Sequence, residues 1–242
     1  MDLNYSKKKI VEQGYTTISN VYTADEVEKI LFTIKNNLTN NDNYRISNEL
    51  FAIRQFLKEI PSSFECIFNQ NLKKIIQNIC GSDYFLIKSI YFDKPESSNW
   101  YVSYHQDLTI SVDQKLNIPN YGPWTVKKNQ FSVQPPIEIL ENLYTIRIHL
   151  DETNEQNGAL KIIPKSHLKK IYRPETINWN IEKEEIGMVE KGGIMIMKPL
   201  LLHSSSRTIN QKRRRVIHLE FSNRELSKEI QWSERINLES IF

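Results

Sequence analysis

The sequence predicts a mainly β protein with flanking helices, folded as a double-sheet or jelly-roll barrel with the helices packed on its outside. Three observations carry that prediction. Before Gly81, apolar residues recur at helical spacing. After it the period shortens, and seven short segments rich in Ile, Val, Tyr and Phe follow, most of them bounded by turn residues. Almost no helical pattern separates the later segments, which disfavours an alternating βαβ sheet.

The elements follow in order. Thr23-Ala24-Asp25-Glu26 has the capping-box pattern, and Val27, Ile30, Leu31, Ile34 and Leu38 continue it as a helix. A second helix is predicted over 49–60, stopped by Pro61. Ser62 and Glu65 repeat the capping-box pattern. Phe64, Ile67, Phe68, Leu72, Ile75, Ile76 and Ile79 then stripe one face of a third helix up to Gly81. The predicted strands are 84–92, 100–104, 143–150, 159–163, 186–189, 194–197 and 214–221. Between Leu108 and Asn142 lies a segment with Pro119, Gly122, Pro123, Pro135 and Pro136, too long for an ordinary connection; such loops often act as lids. No repeat or low-complexity tract divides the chain. Residues 1–242 are therefore expected to form one domain, with a helical part over 1–82, a β core over 83–222 and a lid-like insertion over about 111–142.

Composition narrows the function classes. Lysine and arginine total 32 against 29 acidic residues, a net charge of +3, which leaves no electrostatic footprint for nucleic acid. Hydrophobic residues at 39% and charged residues at 25% describe a globular chain that can bury a core without disulfides or structural metals. No apolar run approaches the roughly 18 to 20 residues of a membrane span, and the first residues lack the apolar stretch of a signal peptide. The expectation is a soluble, cytoplasmic protein with no membrane partner. Cys66 and Cys80, read as lying on one helix, would be roughly 21 Å apart at about 1.5 Å per residue, too far to pair.

The chemistry is carried by few residues. The histidines are His105, His149, His167, His203 and His218. His105-Gln106-Asp107 follows a predicted strand, and alternation puts His105 and Asp107 on one side of it, where imidazole and carboxylate can grip one metal. His203, after the apolar run 195–202, is placed to supply a third ligand. Two histidines and a carboxylate with open positions form the facial triad of non-haem Fe(II) oxygenases. Taken alone, His105 and Asp107 read as well as a hydrogen-bonded surface pair. Arg214 shifts that balance, because it opens the strand 214–221. An arginine projecting into a barrel is costly to bury unless a carboxylate meets it, and its fork suits one end of a dicarboxylate. Lys212 and Arg213 read as a solvated basic run.

Three stretches together resemble the phytanoyl-CoA dioxygenase family of iron- and 2-oxoglutarate-dependent oxygenases. They are Tyr104-His105-Gln106-Asp107-Leu108, then Asn157-Gly158-Ala159-Leu160 through Pro164-Lys165-Ser166-His167, then Lys191-Gly192-Gly193 through Leu202-His203-Ser204-Ser205-Ser206. The resemblance spans roughly 84–221. It implies a double-stranded β-helix core of the jelly-roll, cupin-like kind, with Fe(II) as the metal and 2-oxoglutarate as cosubstrate. It also implies His105, Asp107 and His203 as iron ligands, Arg214 as the anchor of the distal 2-oxoglutarate carboxylate, and Ser205 as a second hydrogen bond to it. The implied reaction takes O2 and hydroxylates a small molecule, releasing succinate and CO2. Halogenation would need the carboxylate position vacated, and Asp107 fills it. Lys165 stands where the family usually has glycine, and His167 matches a position that is not a metal ligand.

Two other classes could use parts of this set: a non-catalytic barrel-fold binding protein, and a metal-dependent hydrolase. The first has no reason to retain every ligand and the arginine. The second has no role for Arg214. Along 144–150, alternation puts Thr145, Arg147 and His149 on one face and Tyr144, Ile146, Ile148 and Leu150 on the other. Counted back from Asn157-Gly158, Arg147 matches a family position beside the cosubstrate. It is expected to hold an anionic group, which would make the substrate an acidic small molecule; the alternative is a structural pair with a buried carboxylate such as Glu220. The insertion is expected to cover the iron, with Trp124 or Phe131 as apolar contacts to substrate.

Overall fold

The computed structural model describes residues 2–39, 41–46, 50–95, 101–127, 130–210 and 212–240. Asp2 caps α1 (Leu3–Gln13) by accepting the Tyr5 amide at 2.9 Å. β1 (Tyr15–Ile18) follows, then α2 (Ala24–Asn36), which opens with the Thr23–Glu26 capping box read from the sequence.

The next stretch differs from the expected helix over 49–60. Residues up to Arg54 form β2 (Tyr44–Ile46) and β3 (Leu50–Arg54), and only α3 (Phe56–Glu59) is helical; Glu49 lies outside the described residues. The physical reason is tertiary pairing. Ala52 and Arg54 lie opposite Phe92 and Ile90 of a neighbouring strand, and a ladder of that kind overrides a local helical pattern. The long helix expected up to Gly81 is also broken, into α4 (Phe64–Ile67) and α5 (Gln70–Ile79). Ser62 does not cap it; Asn69 does, accepting the Leu72 amide at 2.9 Å and restarting the helix. Cys66 and Cys80 therefore belong to different helical segments, and both are free.

The β elements are β4 (Phe85–Lys94), β5 (Val102–His105), β6 (Ile110–Val112), β7 (Trp124–Lys127), β8 (Gln130–Val133), β9 (Tyr144–His149), β10 (Leu160–Ile162), β11 (Glu185–Gly187), β12 (Ile194–Met197), β13 (His203–Ser205), β14 (Arg214–Ser222) and β15 (Ile236–Asn237). Trp100, where one predicted strand begins, lies outside the described residues. The larger sheet runs β1-β12-β9-β14-β4-β3-β2, with β15 added on β4. The smaller runs β11-β10-β13-β5. This is the two-sheet jelly-roll architecture expected from the strand pattern, with β1 to β3 of the N-terminal part built into the larger sheet.

Alternation decides what each face does. Ile146, Ile148, Ile194, Ile196, Ile217 and Leu219 of the larger sheet pack with Ile30, Ile75, Ile76 and Ile79 of the helices in one buried cluster. Each such side chain, fully buried, is worth roughly 1.5 to 3 kcal/mol. The opposite face of the same sheet looks into the barrel; on β12 it is Met195 and Met197, which join a third apolar cluster, and on the neighbouring strands polar groups stand among apolar ones. The polar groups are Arg147 and His149 on β9, His218 and Glu220 on β14, and Lys88 and Lys94 on β4. The segment 111–142 carries secondary structure of its own. β6, β8 and β7 form a three-stranded sheet, followed by α6 (Ile137–Glu141). Among the described residues, no helix is long and apolar enough to cross a membrane.

Lys165 adopts φ +67°, the left-handed conformation that glycine tolerates best, so the turn keeps a glycine-like shape despite the lysine. Lys165→Gly is expected to raise unfolding stability by about 1 kcal/mol, the steric cost of a side chain there less glycine's added chain entropy. A urea midpoint that rises at constant m would show it; an unchanged or lower midpoint would mean that the lysine stem contributes packing that offsets the strain.

Candidate metal centre

β13 and β5 pair antiparallel with His203 directly opposite His105, which brings the two ring centroids to 4.3 Å. Asp107 lies just past β5, where its amide donates to the Pro199 carbonyl at 2.9 Å. The turn before β13 thus fixes the carboxylate. Asp107 Oδ1 is 3.8 Å from His105 Nε2, and Oδ2 is 4.0 Å from His203 Nε2. One donor atom from each of the three residues lies within 4.8 Å of the others.

The tautomers suit a metal. His105 Nδ1 sits 2.9 Å from the Ser103 carbonyl and His203 Nδ1 sits 2.9 Å from the Leu201 carbonyl, so each Nδ1 carries the proton and donates. Each Nε2 lone pair is left for a cation, the backbone-oriented arrangement seen around metal-bound histidines. Burial, aided by His105 and Arg147, outweighs the attraction of Asp107 and lowers His203 to about 4. Burial works to raise Asp107, but His203, His218, His105 and Lys88 outweigh it and hold the carboxyl at about 2. At neutral pH the set is a carboxylate with a neutral His203, the protonation states that ligation needs.

Behind the triad lies a cavity of about 220 Å³ lined in part by Phe92, Lys94, Arg147, Ser205, Arg214 and His218. It is strongly cationic. Arg214 donates to the Gly158 carbonyl and, at 3.4 Å, to Ser205 Oγ. Burial and then Arg147 lower Arg214 to about 9, and burial and then Arg214 lower Lys94 to about 8. Among the described residues no carboxylate forms an ion pair with Arg214. Gly158 is required at this spot. Its φ is +82°, and a Cβ would stand 2.7 Å from the Ser206 carbonyl oxygen.

The sequence pattern described as phytanoyl-CoA dioxygenase (PhyH) matches residues 10–216. The chain belongs to the phytanoyl-CoA dioxygenase family. A curated relative, a probable alpha-ketoglutarate-dependent hypophosphite dioxygenase of Stutzerimonas stutzeri, is 24% identical over 180 residues, 69% of this chain and 54% of that protein. The chain thus spans about half the length of that relative. Among solved structures, EctD from S. alaskensis with bound Fe superposes at a TM-score of 0.70 and 17% identity, covering 93% of this chain and 78% of that one. EctD with 2-oxoglutarate and 5-hydroxyectoine gives 0.69 and 16%, covering 90% and 75%. At these identities the superpositions establish the fold, a double-stranded β-helix of the cupin-like kind.

Within this phytanoyl-CoA dioxygenase family chain, the structure brings His105, Asp107, His203, Arg147, Ser205 and Arg214 to one cavity. Arg147 does not pair with Glu220. Glu220 accepts from Lys88 at 2.8 Å and bonds His218 Nε2 at 2.8 Å. Arg147 instead reaches His218 Nδ1 at 3.4 Å, and its buried Nε lacks an acceptor among the described residues. Arg213 is not merely solvated. It forms a two-pronged pair, 2.7 Å on each prong, with Asp93, which is 3% exposed and needs a cation. Trp124 and Phe131 pack on the second apolar cluster, beside Ile110 and Val133, and do not line the metal cavity; Phe131 lines a separate cavity beside the insertion. His167 is a packing residue, with Nε2 3.1 Å from the Val11 carbonyl.

One residue that sequence reasoning passed over is Gln106. Its Nε2 donates to the Leu200 and Lys170 carbonyls at 2.5 and 2.7 Å, and its Oε1 accepts the Tyr172 amide at 2.8 Å. It ties the loop before His203 to the loop over 170–172. The signal was available, since a polar residue between two ligands must face away from the metal and into the protein.

Proposed function

We propose that the protein is a 2-oxoglutarate-dependent non-haem iron dioxygenase that hydroxylates a small molecule, with His105, Asp107 and His203 as the iron ligands. The observation that carries this is a two-histidine, one-carboxylate set whose Nε2 atoms face the carboxylate, on a cavity where Arg214 pairs with no carboxylate among the described residues. Iron and 2-oxoglutarate, when bound, supply O2-driven oxidative decarboxylation to succinate and CO2 coupled to C–H hydroxylation.

The chain's own residues do the rest. Arg214 and Ser205 hold the distal carboxylate of 2-oxoglutarate. Arg147, which lines the same cavity, would meet the other carboxylate of 2-oxoglutarate. This reading assigns Arg147 to the cosubstrate rather than the substrate, because Arg147 lines the same cavity as Arg214 and the triad. Arg147→Gln is then expected to raise the KM for 2-oxoglutarate about tenfold, the loss of a charge-assisted hydrogen bond worth roughly 1.5 kcal/mol or more. Steady-state kinetics in both substrates checks it; an effect confined to the co-oxidised substrate would return Arg147 to that molecule.

The function itself is tested by succinate release. It should require O2 and 2-oxoglutarate together. Turnover without either would favour a metal-dependent hydrolase, and specific binding without turnover a non-catalytic barrel.

A further inference from the structure

A second cavity, of about 350 Å³, lies against the insertion and is lined in part by Arg54, Lys88, Asp113, Gln130, Trp232 and Glu234. It adjoins the metal cavity along one strand. Lys88 and Ile90 line the second cavity, while Phe92 and Lys94, the next inward positions of β4, line the first. Register places the two cavities on one row across the sheet. Arg147 lies opposite His218, His218 opposite Ile90, and Ile90 opposite Arg54. With neighbouring strands about 4.8 Å apart, Arg54 stands roughly 10 Å from His218 and 14 Å from Arg147.

The charges in this second cavity are unequal in kind. Lys88 is neutralised by Glu220 at 2.8 Å. Both oxygens of Glu234 are engaged by Ser89, from its amide at 2.7 Å and its hydroxyl at 2.5 Å, and burial pushes its pKa up, toward the uncharged form. Asp113 sits exposed at the rim and accepts the Gln231 amide at 2.9 Å. The guanidinium of Arg54 has neither a hydrogen bond nor an ion pair with any described residue. It is half-buried in the cavity wall with no protein acceptor, so a ligand entering the cavity would meet an arginine fork that no protein group competes for. Burial and the nearby Arg45 lower its pKa, as expected of a cation lacking a counter-charge.

We propose that this second cavity is the anchoring subsite for the substrate, in which Arg54 grips an oxyanion, carboxylate or phosphoryl, at the end of the molecule remote from the carbon that reacts. The inference rests on the dioxygenase reading. The planar fork of arginine fits either oxyanion through two parallel hydrogen bonds. The body of the substrate then lies along Ile90 and Phe92 toward His105 and Asp107. The insertion, through Ser111, Gln130 and Ser132, forms a wall of the substrate site. Neutral molecules without an oxyanion are disfavoured.

The test uses the full chain loaded with Fe(II) and 2-oxoglutarate under argon, so that the arginines of the metal cavity are occupied. Methyl phosphate, acetate and the neutral control acetamide are titrated at constant ionic strength while tryptophan fluorescence is read, with Trp232→Phe to assign the signal. A saturable Trp232 response to one or both oxyanions is expected, with none to acetamide. Which oxyanion responds distinguishes phosphoryl from carboxylate. Arg54→Gln should weaken that response at least tenfold, and Arg54→Lys should restore part of it, with the affinity for 2-oxoglutarate unchanged in both. Equal responses in wild type and Arg54→Gln, or none in wild type, would overturn the proposal. If instead the iron and 2-oxoglutarate complex never forms while the Arg54-dependent response persists, it is the dioxygenase reading that fails.

Discussion

Substituting any one of His105, Asp107 and His203 by alanine is expected to reduce succinate release to background. Each supplies one donor of a three-residue set whose atoms lie within 4.8 Å of one another, and among the described residues no further histidine or carboxylate joins that set. His218, which lines the same cavity, is committed to Glu220 at 2.8 Å and to Arg147. The losses should differ in kind. His203 is 4% exposed and fixed between β10 and β5, so its removal also opens space in the barrel. Asp107 sits amid cations, and its removal leaves Arg147 and Lys88 with less compensation. Metal-binding stoichiometry measured beside turnover separates a lost ligand from a damaged fold. A variant that binds iron one-to-one and turns over normally would remove that residue from the centre.

Arg214→Leu is the second large effect. Breaking a buried charge-assisted pair costs about 2 to 5 kcal/mol, which corresponds to a rise of about 30-fold to several thousand-fold in the 2-oxoglutarate requirement. The rise should exceed that from Arg147→Gln, because Arg214 has Ser205 beside it as a second donor, both anchored on the Gly158 carbonyl. Arg214→Lys should fall between wild type and leucine, keeping the charge and losing the fork. An unchanged KM for 2-oxoglutarate in the leucine variant would mean that the guanidinium serves only the Gly158 carbonyl.

Much of this architecture was legible in the sequence because its signals are local. β9, β12 and β14 are dense in isoleucine, leucine and valine, and alternation along β9 separates Arg147 from the apolar face without any knowledge of neighbours. The spacing of His105 and Asp107 put both on one side of the chain. What escaped depends on partners far away in sequence. β3 resembles a helix until Ala52 and Arg54 meet β4. The break at Asn69 depends on one side chain turning back to cap a new helix. The Arg213–Asp93 pair joins residues that only the pairing of β14 with β4 brings together. For the same reason Arg54 carries no sequence signal. Its place in the site is a matter of register across β9, β14, β4 and β3.

The central claim is that one centre binds iron through His105, Asp107 and His203 and places 2-oxoglutarate against Arg214. Anaerobic titration of the protein with Fe(II), then with 2-oxoglutarate, tests it most directly. A weak metal-to-ligand absorption band should grow to one equivalent of each in the wild type. It should be absent in Asp107→Ala, and in Arg214→Leu it should require far more 2-oxoglutarate. No band in a wild-type protein that has bound both, or an equal band in Asp107→Ala, would contradict the account.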